Sequence, residues 1–142
     1  MTTFLLDVNV LLALSDPQHI HFDLAHRWFF ENGKSWATCP IAENGFVRIA
    51  SRPSYPNPPG DVLVVLALLR GLVNRPGHDF WPDEVTVLDV FEPDVVITSS
   101  QITDVYLLGL AAYRGGKLAT LDRRIPVHAV RGGAEAIEFV ID

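Results

Sequence analysis

The sequence predicts an α/β domain built on a mainly parallel sheet, and two observations carry that prediction. Strand-like and helix-like stretches alternate along the chain, as they do when strands are joined by helical crossovers. Four acids, Asp7, Glu43, Asp104 and Asp122, each stand where an apolar stretch meets a helix start or a turn. Open α/β sheets place their sites in the crevice beyond the carboxyl ends of the strands, where such junctions lie.

Taken in order, residues 3–6 read as the first strand, closed by Asp7, and Val8-Asn9-Val10-Leu11-Leu12 follows at a strand-to-helix junction. Asp16-Pro17 reads as an N-cap with proline at the first helical position. Phe22, Ala25 and Phe29 then recur at helical spacing until Asn32-Gly33 ends that helix. Residues 35–38 form the next strand, and 40–50 a helix that begins at Pro40, carries Glu43 in its first turn and stops at Arg52-Pro53. The Pro-rich piece 52–60 is a surface loop, too short and too central to divide the chain. Residues 61–73 are apolar almost all round, a pattern that predicts a well-buried helix. A strand is expected over 84–88, and 89–97 suits a loop and a short helix equally. Thr98-Ser99-Ser100 introduces a helix over 100–113 with Asp104 in its first turn, closed by Gly115-Gly116. Strands over 117–120, followed by Asp122, and over 137–141 complete the set.

Composition bounds what such a domain does. At 142 residues, 49% hydrophobic and 20% charged, the chain has the size and content of one folded domain spanning 1–142. Its single cysteine, Cys39, excludes an internal disulfide and suits a reducing cytoplasm. The apolar stretch 4–14 lacks a basic leader and contains Asp7 and Asn9, so it is not a signal peptide. The apolar run 62–69 is far below membrane-spanning length, so no membrane association is expected. A net charge of −6 argues against a generally adhesive nucleic-acid binder. It leaves room for a nuclease whose site acids are neutralised by cations.

Taken singly, each acid has an ordinary role. Glu43 and Asp104 complement helix dipoles, worth roughly 0.3–1 kcal/mol, and Asp122 suits a turn. Asp7, inside an apolar run, is expensive to bury without partners. Their combination says more. Two unit charges at about 4 Å repel by roughly 4 kcal/mol at an effective dielectric near 20. Several converging carboxylates therefore need raised pKa values or a bound cation. Oxygen-only ligands suit Mg²⁺ or Mn²⁺, one or two ions, and not zinc. Metal-assisted phosphodiester cleavage, with a metal-activated water as nucleophile, is the chemistry such a site would serve.

Four motifs in this order, Leu5-Leu6-Asp7-Val8-Asn9-Val10-Leu11-Leu12, Cys39-Pro40-Ile41-Ala42-Glu43-Asn44-Gly45-Phe46-Val47-Arg48, Gln101-Ile102-Thr103-Asp104-Val105-Tyr106-Leu107-Leu108 and Lys117-Leu118-Ala119-Thr120-Leu121-Asp122, closely resemble a PIN-domain ribonuclease of the VapC toxin type. The likeness spans nearly the whole chain, including His21 through Trp28-Phe29. It implies a three-layer fold with a central five-stranded parallel sheet flanked by helices, and Mg²⁺- or Mn²⁺-dependent endonucleolytic cleavage of RNA, tRNA and rRNA being candidate classes. It also implies homodimerisation and inhibition by a cognate VapB-type antitoxin. Carried over, Asp7, Glu43, Asp104 and Asp122 are the catalytic acids. Asp7 and Asp104 would hold metal, with Glu43 and Asp122 acting directly or through water. Asn9, Thr103 and Thr120 would be the supporting polar residues.

Arg123 and Arg124, directly after Asp122, are candidates for phosphate contact. His19, His21 and His26 lack the spacing of helical metal ligands and are read as surface or interface groups. At least two of Trp28, Phe29 and Phe30 are expected in the core, and Trp36 and Trp81 in core or dimer contacts. Two other function classes compete. A phosphohydrolase with a nucleophilic aspartate needs a second Asp two residues after Asp7, where Asn9 stands. A non-catalytic module binding protein or RNA would need none of the four acids.

Overall fold

The computed structural model describes residues 1–141. Five parallel strands, β1 (Phe4–Leu6), β2 (Trp36–Thr38), β3 (His78–Phe80), β4 (Lys117–Thr120) and β5 (Ile137–Phe139), form one sheet in the order β3-β2-β1-β4-β5. The helices are α1 (Val8–Ser15), α2 (Phe22–Asn32), α3 (Pro40–Ser51), α4 (Val62–Val73), α5 (Val87–Val90) and α6 (Ile102–Tyr113). Strands β1 and β2 are buried at every position, and β4 at all but Lys117, as expected for parallel strands covered on both faces. Leu5, Leu6, Leu118 and Trp36 from the sheet meet Leu11, Phe46, Leu107, Leu108 and Leu110 from the helices, all nearly inaccessible to solvent.

Two close approaches bring the acid-bearing elements together. A Cβ on Gly45 would lie 2.8 Å from Val8 Cγ2, so α3 crosses α1 directly beside Asp7. Gly115 takes φ +69° at the end of α6, a left-handed turn that suits glycine and returns the chain to β4.

Three expectations are corrected. The strand expected over 84–88 is instead β3, His78–Phe80. β3 is a short, largely exposed edge strand with no apolar alternation to mark it. Val85 and Val87 mimicked a period of two by packing on the core from a loop and from α5. Asp16 does not open a helix. Its backbone N–H donates to Leu12 O at the end of α1, and α2 begins only at Phe22. The Asp16 carboxylate instead accepts from Gln18 N, Tyr55 Oη at 2.7 Å and Asn57 Nδ2, tying down the Pro-rich loop. Helix α4 is not well buried. Only Val65 and Leu72 are buried, Leu68 and Leu69 are partly covered, and Leu63 is 75% exposed. An all-round apolar helix shows that its faces prefer cover, and this chain covers only one of them.

The aromatic expectations fall out unevenly. Trp28, Trp36 and Trp81 are buried, Phe29 packs partly against the core, and Phe30 points to solvent. Cys39 is buried, which pushes its thiol up to about 12 and leaves it protonated and unreactive. Among the described residues no helix is long and apolar enough to cross a membrane.

Candidate active site

Asp7 ends β1 and caps α1. Its extended backbone lets Oδ1 accept from Val8 N at 2.7 Å, the N-cap arrangement that satisfies a free helical N–H. Oδ2 accepts from Thr120 Oγ1 at 2.8 Å, and Asn9 Nδ2 approaches it at 3.4 Å. Thr120, fully buried at the end of β4, also accepts from Asn9 Nδ2 at 3.1 Å and from Asp122 N at 3.0 Å. Asn9 Oδ1 closes the ring by accepting from Leu121 N. This network clamps the end of β1 to the turn that carries Asp122. Thr103, by contrast, is exposed in the first turn of α6 and makes no side-chain hydrogen bond among the described residues.

Three aspartates feel one another across this junction. Burial raises the pKa of Asp7, against the pull of its hydrogen bonds, and Asp122 raises it further. Asp104, half-buried on α6, is pushed up to about 6, first by burial and then by Asp7 and Asp122, with Arg124 opposing. Asp122 Oδ1 accepts from Arg124 N at 2.9 Å and from its Nε at 3.2 Å, an exposed contact worth little by itself.

Glu43 is held differently. Thr38, buried at the end of β2, donates to Glu43 Oε2 at 2.6 Å, and His78 Nε2 lies 2.7 Å from the same threonine oxygen. Sequence reading did not single out Thr38 or His78. A signal for Thr38 was present: Ala37-Thr38 ends β2 as Ala119-Thr120 ends β4. His78 had none, since β3 was not recognised as a strand.

The rim beside Asp122 is an open depression of about 530 Å³ lined by Asn9, His19, His21, Asp122, Arg123 and Arg124, with Leu121 at its wall. The His19 and His21 rings stand 5.8 Å apart, and His19 Nδ1 accepts from His21 N at 3.0 Å. His26 lies away from the rim, bonded to Leu14 O. No group of three or more His, Cys, Asp or Glu among the described residues is spaced to hold a metal ion as placed. The donor set nonetheless suits a hard cation. It is all oxygen, and two of its aspartates are driven toward protonation by burial and mutual repulsion. Mg²⁺ keeps several waters and takes only one or two carboxylates, so it does not require a closed protein cage.

A five-stranded parallel sheet with acids gathered at the carboxyl ends of β1 and β4 and on the adjoining helices is the PIN fold. No protein-family model matches the chain. It is 39% identical over 138 residues to Ribonuclease VapC39 of Mycobacterium tuberculosis, covering 95% of this chain and 99% of that protein. The chain belongs to the VapC family of ribonucleases. Its fold is shared with Mycobacterium tuberculosis VapC20, described as a Sarcin-Ricin loop cleaving toxin, at TM-score 0.62 and 7% identity over 90% of this chain and 96% of that one. It is shared too with VapBC2 from Rickettsia felis bound to a promoter DNA fragment, at TM-score 0.60 and 12% identity over 96% and 98%.

Proposed function

We propose that the chain is a cytoplasmic Mg²⁺- or Mn²⁺-dependent endoribonuclease toxin, a single PIN domain over residues 1–142 kept inactive by a cognate VapB-type antitoxin. The observation that carries this reading is the coupling of Asp7 and Asp122, at the carboxyl ends of the adjacent strands β1 and β4, with Asp104 in the first turn of α6. Asp7 and Asp104 would hold the ion, with Glu43 and Asp122 acting directly or through water. A bound divalent cation supplies Lewis-acid activation of water and of the scissile phosphate.

The chain's own residues do the rest. Thr120, Asn9 and the Val8 N–H lock the Asp7 carboxylate in one orientation, so no reorganisation is needed when charge develops. A site carboxylate oxygen takes the proton of the attacking water. Arg123 and Arg124, joined on the same rim by His19 and His21, meet the phosphates of the RNA strand. Attack by water breaks the P–O3′ bond, leaving a 5′-phosphate and a 3′-hydroxyl.

The exposed apolar face of α4 supports a covering partner, an antitoxin segment or a second copy in a homodimer. An antitoxin segment that also brings a basic side chain among the aspartates would neutralise them in place of metal. The test is cleavage of total bacterial RNA by purified, antitoxin-free protein in Mg²⁺, Mn²⁺ or EDTA, beside Asp7→Asn. Discrete EDTA-sensitive fragments missing from the variant are expected. Undiminished cleavage by Asp7→Asn would overturn the assignment.

A further inference from the structure

Glu43 belongs to a hydrogen-bonded chain that the aspartates do not share. Thr38 Oγ1 lies 2.6 Å from Glu43 Oε2 and 2.7 Å from His78 Nε2. An ionised carboxylate only accepts, so the single hydroxyl proton of Thr38 points at Glu43. The threonine lone pairs then face His78, whose Nε2 must carry the proton of the second bond. Donation runs one way, from Nε2–H to Oγ1 and from Oγ1–H to Oε2. Glu43 Oε1 makes no hydrogen bond among the described residues. One oxygen is tied and one is free.

Strand register explains how three residues from three elements meet. Trp36 and Thr38 are two apart on β2 and share a face of the sheet, and His78 is the partner of Trp36 on β3. The imidazole packs on the buried Trp36 indole, with centroids 4.7 Å apart and planes at 61°. Trp36 is held in turn by Nε1 donating to Pro76 O at 3.0 Å. The base of the chain is therefore rigid, and the mobile end is the flexible glutamate it restrains.

We infer that Thr38 and His78 are positioning residues that hold Glu43 in its working orientation, a role resting on the metal-dependent nuclease proposed above. Neither touches substrate or metal in this scheme. They act through the carboxylate, as hydrogen-bonding partners behind a metal ligand do.

The test uses the full chain and two readouts, the Mn²⁺ midpoint of thermal stabilisation and the kcat and KM of RNA cleavage. Thr38→Val keeps the shape and removes the hydroxyl. It is expected to raise the Mn²⁺ midpoint and lower kcat by on the order of 10- to 100-fold, with KM little changed. Thr38→Ser returns the hydroxyl and is expected to restore both. His78→Gln keeps a donor and should retain more of each than His78→Leu. Histidine ¹⁵N spectra of the wild type should show His78 protonated at Nε2.

A Thr38→Val protein with wild-type Mn²⁺ midpoint and kcat overturns the inference, even if it melts earlier. A Thr38→Ser protein as impaired as Thr38→Val, or an Nδ1-protonated His78, overturns it equally. Asp7→Asn and Glu43→Gln are measured alongside. If these two lose Mn²⁺ binding and cleavage while Thr38→Val does not, only the positioning role falls. If the wild type neither binds Mn²⁺ nor cleaves RNA, the nuclease reading falls and takes this role with it.

Discussion

The ends of β2 and β4 make an instructive pair. Each closes with Ala-Thr, each threonine is fully buried, and each hydroxyl donates to a carboxylate on another element. Thr120 serves Asp7, which is itself buried, capped by Val8 N–H and crowded by Asp122. Thr38 serves Glu43, which is more open and is backed by a histidine from the edge strand. The same local device thus handles two electrostatic problems. On β4 it steadies a charge that its surroundings oppose, and on β2 it restrains a charge on a flexible side chain.

The comparison is broken most severely by removing the carboxylates themselves. Asp7→Asn should lower cleavage by on the order of 10²–10³-fold, which is about 3–4 kcal/mol of transition-state stabilisation. Asparagine also caps helices well, so the variant should melt no earlier than wild type in EDTA. Glu43→Gln should impair cleavage too, but its melting temperature in EDTA should stay at the wild-type value, because a glutamine amide oxygen can still accept from Thr38. Parallel cleavage and melting assays check both.

The next largest effect is on stability. Thr120→Val strips partners from Asp7 Oδ2, Asp122 N and Asn9 Nδ2 together. It should cost about 1–3 kcal/mol, the penalty for leaving buried polar groups unsatisfied. Thr38→Val strands fewer groups and should cost less. Denaturant melts of the two variants side by side would sharpen or erase the asymmetry.

The aspartates around β4 carry a pH dependence of their own, and His78 beside β2, its pKa lowered by burial, works in the opposite sense. The folded-state pKa of Asp104 is about 6, above its ordinary value near 3.8, and that of Asp7 is raised too. Between about 4 and 6 the folded Asp104 holds a proton that the unfolded chain has lost. Its contribution to metal-free stability therefore falls as pH rises through that range, with Asp7 acting in the same direction. Asp104→Asn should flatten that slope, and Mn²⁺ should stabilise wild type more at pH 7.5 than at pH 5. Thermal melts in EDTA and in Mn²⁺ across this range test the sign.

The smallest expected effect belongs to Asn9. Asn9→Ala removes its bonds to Thr120 and Leu121 N, each worth about 1 kcal/mol, and should lower cleavage several-fold with Asp7 still held by Thr120. A loss as deep as that of Asp7→Asn would make Asn9 a partner of equal rank.

The acids were legible because each sits at a junction that local chemistry marks. Asp7 breaks an apolar run, and Glu43 follows Pro40 in a first helical turn. Asp104 follows a Thr-Ser-Ser start, and Asp122 ends an Ala-Thr-Leu strand exit. Strands β1, β2 and β4 were legible as short strand-like stretches, each set directly before a helix start or turn. His78–Phe80 was not, because a three-residue edge strand buries too little to impose a pattern. Thr103 looked like a neighbour of Asp104 in sequence, but adjacent helical residues point in different directions, and its side chain faces solvent.

Sequence alone determined most of the element types and the junctions that carry carboxylates, since caps, turns and periodicity are set within a few residues. Tertiary structure decided which carboxylates crowd together, that His78 stands behind Thr38 forty residues away in the chain, and that α4 keeps an uncovered apolar face. Those outcomes depend on which parallel strands pair and in what register, and parallel pairing joins segments separated by whole crossovers, beyond the reach of any local pattern.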